Sequence, residues 1–139
     1  MIKTLRWLAI IPACILAWYI AMLIGLYVLS FVESLCPPDQ VVSGFCQASW
    51  YPAAERIVIC FGAALSAFFV VSTAAAVAPT NRSLVSRLAL GVGALVAIWM
   101  AIRTDSYFEF LSAVVAGMIT VLAVTHLGRR RLRDAPRVA

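Results

Sequence analysis

Four stretches of this chain, residues 7–32, 52–78, 84–102 and 107–127, run for about twenty residues or more with at most two charged residues each. About twenty apolar residues are what an α-helix needs to cross a hydrocarbon core of roughly 30 Å. A segment in lipid must satisfy its own backbone polar groups, so each such run has to be helical. Composition agrees: hydrophobic residues make up 64% of the chain and charged residues 12%, against about 45–50% and about 25% in soluble domains. So few charges cannot cover so much apolar surface in water. The expected fold is an all-α integral membrane protein. It is a single domain of 139 residues folded as an antiparallel four-helix transmembrane bundle.

Lys3 and Arg6 precede the first run as they would in a signal peptide, but the run exceeds an h-region, so an uncleaved anchor is expected. Pro12 removes one helical hydrogen bond near its start. An outer loop, 33–51, follows. Pro52 suits the first helical position of the second run and Glu55 its first turn, where the helix dipole favours an acid. Pro79 ends that helix, residues 80–83 form a turn, and Ser83 is the expected N-cap of the third. Residues 103–105 make a short connection, and Ser106 and Glu109 read as a capping box opening the fourth. Gly128 is the expected C-cap, with a basic tail over 128–139.

The basic residues predict sidedness. With the N-terminus in the cytoplasm, Lys3, Arg6, Arg82, Arg87 and the tail arginines share that side, and only Arg56 and Arg103 lie opposite. The positive-inside rule therefore predicts both termini in the cytoplasm and the 33–51 loop in the periplasm or exterior, with a bacterial inner (plasma) membrane as the location. Arg129, Arg130, Arg131 and Arg133 are expected to meet anionic lipid, and no nucleic-acid partner is expected. Cys36 and Cys46 then share an oxidising compartment and are expected to form a disulfide that staples the loop. Cys14 and Cys60 lie inside apolar runs and are expected to behave as small hydrophobes.

Four helices, cytoplasmic termini and a Cys pair in the first outer loop resemble the quinone-coupled disulfide oxidases of the DsbB type. Glu55-Arg56 at the start of the second helix is similar to the acid–Arg step that helps place the quinone in that family. The resemblance covers about 30 residues and would imply thiol–disulfide exchange. The sequence departs from the family's pattern where that chemistry occurs. It has no Cys-X-X-Cys, and its second outer connection is short and carries no cysteine.

Small residues supply the strongest internal pattern. Ala13, Ala17, Ala21 and Gly25 recur every four residues, and Gly62 with Ser66, Gly93 with Ala97, and Ala113 with Gly117 provide matching steps on the other helices. Such steps let backbones approach closely in lipid, so these positions are the expected helix contacts. Leu26, Leu29, Phe68, Phe69 and Ile98 then face lipid or another subunit. At the outer end Arg56 and Arg103 are candidates to face Asp105 and Glu109 as a site for a headgroup or partner loop. Tyr19 lies near mid-membrane and needs a hydrogen-bond partner, with Ser66 and Thr120 at comparable depth. His126, the only histidine, suits the last turn of the fourth helix. No metal, cofactor or catalytic residue is expected. The leading expectation is a non-catalytic accessory or scaffolding subunit of a membrane complex, alone as a homo-oligomer or with other subunits. The alternative is a lipid- or small-molecule-handling protein, and a thiol–disulfide redox protein is third.

Overall fold

Each apolar run becomes one helix in the computed structural model, which describes residues 2–78 and 81–134, with side chains over 7–78 and 81–128. Helix α1 spans Ile2–Ser34, α2 Tyr51–Val77, α3 Arg82–Thr104 and α4 Tyr107–Asp134, and all four are long and apolar enough to cross a membrane. Atom-level contacts set their directions. Cys14 Sγ lies 3.8 Å from the Val70 carbonyl, and Gly25 faces Gly62, so α1 and α2 are antiparallel. Gly117 packs under Leu90, so α3 and α4 contact each other. The Ser112 hydroxyl donates to the Cys60 carbonyl at 3.0 Å while Gly117 lies over Ala67, so α2 and α4 run parallel.

Helix α2 is the hub, packed against all three others, whereas α1 leans mainly on α2. Among the described residues the buried hydrophobic positions are all Ala or Val, including Ala21, Val71, Ala74, Ala75, Val85 and Ala101, while most large side chains are exposed. This is how helices pack when close backbone approach, and not exclusion of water, holds them together. Ser86 is fully buried and spends its hydroxyl on the Ser83 carbonyl at 3.0 Å. At the end of the bundle away from the Cys loop, Ala74, Ala78 and Val85 form a tight cluster that Ile10, Cys14 and Ala89 pack against.

The connections are shorter than the sequence suggests, because the helices continue past their apolar runs. Helix α2 starts at Tyr51 with Trp50 at its N-cap, so Pro52 lies in its first turn and Glu55 just beyond it. Asn81, in the left-handed region at φ 51°, takes the N-cap position expected of Ser83, and its carbonyl accepts the Leu84 and Val85 amides. Pro79 and Thr80 lie outside the described residues. Arg103 and Thr104 belong to α3, which closes on Asp105 at φ 54°. Asn and Asp are the side-chain-bearing residues that best tolerate this conformation. Gly128 does not stop α4, which runs on to Asp134 through good helix formers such as Arg and Leu. His126 is therefore not in the last turn.

Between α1 and α2 the loop is more ordered than its sequence suggests. A 3₁₀ turn over Pro38–Gln40 leads into a two-stranded hairpin of β1 (Val41–Val42) and β2 (Phe45–Cys46), with Val41 opposite Cys46 and Val42 opposite Phe45. Its two-residue turn, Ser43-Gly44, has φ of 53° and 84°, the pair of positive values that a tight hairpin turn requires. Cys36 and Cys46 are bonded, with their Cα atoms 5.9 Å apart. The Tyr51 hydroxyl donates to Glu33 Oε1 at 3.1 Å, which ties the ends of α1 and α2 together beneath the hairpin.

Candidate functional site

Small residues on three helices leave a space that nothing fills. Ala63 and Ala67 on α2, Gly93 and Ala97 on α3, and Ala113 on α4 line a groove of about 580 Å³. That size falls within the roughly 300–1,000 Å³ of small-molecule sites. A Cβ built on Gly93 would meet no atom within 4 Å, so the chain's shape here is set by a missing side chain. The groove follows α3 from Ala89 to Thr104, about 22 Å at 1.5 Å per residue. Trp18 of α1 borders it, and a smaller cleft of about 190 Å³ between α1 and α2 shares Trp18 and Ser66.

Along most of its length the wall is hydrocarbon. Polarity is gathered at the end near the Cys loop, where Thr104, Ser106 and Glu109 join the lining. Their hydrogen bonds define what that end can accept. The Thr104 hydroxyl donates back to the Met100 carbonyl at 2.9 Å. It also lies 2.7 Å from the Ser106 hydroxyl, with either oxygen able to donate, and the Ser106 hydroxyl donates to the Thr104 carbonyl at 3.3 Å. Lone pairs on Ser106 Oγ remain unspent. The capping box expected of Ser106 and Glu109 is thus replaced by a backward link to Thr104, although the Ser106 carbonyl still accepts the Phe110 amide at 3.2 Å. Among the described residues, no ion pair or side-chain hydrogen bond engages the Glu109 carboxylate. This end of the groove is rich in acceptors and poor in donors.

The two arginines nearby do not converge on the acids. Arg56 lies over the Phe108 ring at 5.7 Å and Arg103 over the Trp99 ring at 5.5 Å, one turn back on its own helix. Such stacks are held by the ring quadrupole and leave the guanidinium open to other partners. The set Arg56, Arg103, Asp105 and Glu109 therefore divides: Glu109 lines the groove, and the other three are exposed and do not.

Other expected positions also separate. Ala21 is fully buried against α2, and a Cβ on Gly25 would lie 3.6 Å from the Gly62 Cα, so this part of the ridge is a close helix crossing. Ala13 and Ala17 are half-buried. Gly93, Ala97 and Ala113 line the groove, and Ser66 faces both clefts. Tyr19 is 53% exposed on the outside of α1, and it meets neither Ser66 nor Thr120. Thr120 is buried and bonds back to the Ala116 carbonyl at 2.8 Å. The groove itself escaped the sequence reading. Its signal was present in small steps on α2 and α3 followed by three polar residues, Thr104, Ser106 and Glu109, within six positions.

Comparison of the chain with protein-family models, with curated proteins and with solved structures yields no match.

Proposed function

We propose that this chain is a multi-pass protein of a bacterial inner membrane that holds a lipid or other long-tailed small molecule in the groove between α2, α3 and α4. The observation that carries this reading is the groove: about 22 Å long and mostly apolar, with Ser66 along its wall and its other polar side chains gathered at one end. A tail reaching from one face of a bilayer spans about half of the 30 Å core, roughly 15 Å, which the groove accommodates. The distribution of basic residues supports placing both termini in the cytoplasm, the tail arginines on anionic lipid, and the polar end of the groove on the periplasmic side. The Cys36–Cys46 bond then serves as a staple over that side.

Native mass spectrometry after extraction in a mild uncharged detergent tests the reading. The wild-type chain is expected to carry a bound small molecule, and Gly93→Leu, which places a side chain in space that is open in the fold, is expected to lose it. Equal occupancy of the two proteins, or none in either, would remove the proposal.

The accessory-subunit reading has one observation in its favour. Helix α1 leans mainly on α2 and leaves Leu16, Ile20, Leu23 and Tyr27 uncovered, a face on which a partner helix or a second copy could lie. Protein, and not small molecule, would then accompany the chain through the same extraction.

A further inference from the structure

Resting on the groove as a tail-binding site, we infer that its occupant carries a cationic amine head, selected by Glu109 together with the Ser106 hydroxyl.

In a bilayer the tail of such a molecule leaves hydrocarbon to enter hydrocarbon, so the apolar wall contributes fit but little discrimination. Choice among amphiphiles must come from the few polar groups, and apart from Ser66 these lie at one end. A carboxylate offers acceptors only, and the Ser106 hydroxyl, with the Thr104 hydroxyl and carbonyl in reach of its own proton, offers a lone pair beside it. The complementary head is one made entirely of donors. An alkylammonium has three N–H donors and a full positive charge, so it matches a carboxylate and a hydroxyl lone pair alike. A phosphate or sulfate head presents acceptors to acceptors, and like charges there are repelled.

Surroundings at this end reinforce the sign. Five acids lie there (Glu33, Asp39, Glu55, Asp105 and Glu109), against Arg56 and Arg103 as the only bases. Glu33 accepts from Tyr51, and Arg56 and Arg103 lie over aromatic rings with their guanidinium groups still open, neither paired to Glu109 among the described residues. Glu109 is thus the acid that borders the groove with no cation paired to it among the described residues. Phe110, also in the lining, adds an aromatic surface that tolerates a cation.

The test titrates hexadecylamine and hexadecyl sulfate, two probes with the same tail, into the full-length protein in uncharged detergent. Bound fraction is read by native mass spectrometry. The amine is expected to bind about tenfold more tightly or better, the scale of a hydrogen bond to a charged group. Glu109→Gln should bring the two probes within about threefold of each other, because the tail site remains while the charge is lost. Glu109→Asp should keep part of the preference, and Asp105→Asn should leave it intact. Equal binding of the two probes to the wild-type protein, or a preference that survives Glu109→Gln, overturns the head-group assignment and leaves the groove standing. Unchanged binding of both probes to Gly93→Leu overturns the groove itself.

Discussion

Two glycines show how much a single methyl group decides in this protein. A Cβ on Gly117 would overlap Leu90 Cδ1, whereas a Cβ on Gly93 meets nothing within 4 Å. Leu90 also lines the groove, so a methyl at Gly117 would force one of its lining side chains to shift. We expect Gly117→Ala to destabilise the bundle by about 1 kcal/mol, at the low end for overpacking because Leu90 can turn aside. Gly93→Ala should be neutral or stabilising by about 0.4–1 kcal/mol, since it restricts the unfolded chain without a clash. Denaturant or thermal midpoints in one detergent compare the pair, and the reverse ranking would show that α4 does not lie against Leu90. The same scale applies to Tyr19. Depth in the sequence does not say which way a side chain points, and this phenol is 53% exposed.

At the scale of elements, the hairpin is the part that stands apart from the bundle. It is short, its tip carries Val42 and Phe45 outward, and Phe45 is 74% exposed. Two strands of two residues cannot hold themselves, so the Cys36–Cys46 bond and the Tyr51–Glu33 hydrogen bond keep it in place. Alkylation of the denatured, unreduced protein should therefore label Cys14 and Cys60 alone, with Cys36 and Cys46 appearing after reduction. Replacing both loop cysteines by Ser should lower stability by about 2–3 kcal/mol, the scale for closing a loop of this size. It should also expose the chain near Gly44 to protease while the four helices stay folded. A double mutant that remains protease-resistant would mean that the hairpin needs no staple.

Over the whole molecule, α2 is the hub and α1 an appendage, so α1 carries less of the burial than its length suggests. The charge is also polarised, with five acids at the Cys-loop end and most bases at the other. In a membrane that asymmetry predicts one orientation. A reporter active only in the cytoplasm should work after Ala139 and fail when inserted beside Gln40. The opposite pattern would put Cys36 and Cys46 in a reducing compartment and the polar end of the groove on the cytoplasmic side.

By itself the sequence determined four helices of spanning length, because twenty apolar residues in succession leave the backbone no other way to bond in lipid. It also singled out Cys36 and Cys46, the cysteines lying outside those runs. Helix ends were legible only to within a few residues. The Ser106–Glu109 spacing marked the start of α4 at Tyr107, whereas Ser83 and Gly128 compete with the tendency of a formed helix to propagate, and Asn81 and Arg129 onward won instead. Only the tertiary structure decided what the small residues do. Ala21, Gly25 and Gly62 are pressed between helices, whereas Gly93, Ala97 and Ala113 open a groove. The physical reason is that a helix apolar on every side has no sequence contrast between its inner and outer faces. A small residue permits close approach, and whether a neighbour comes is settled by how the other three helices pack.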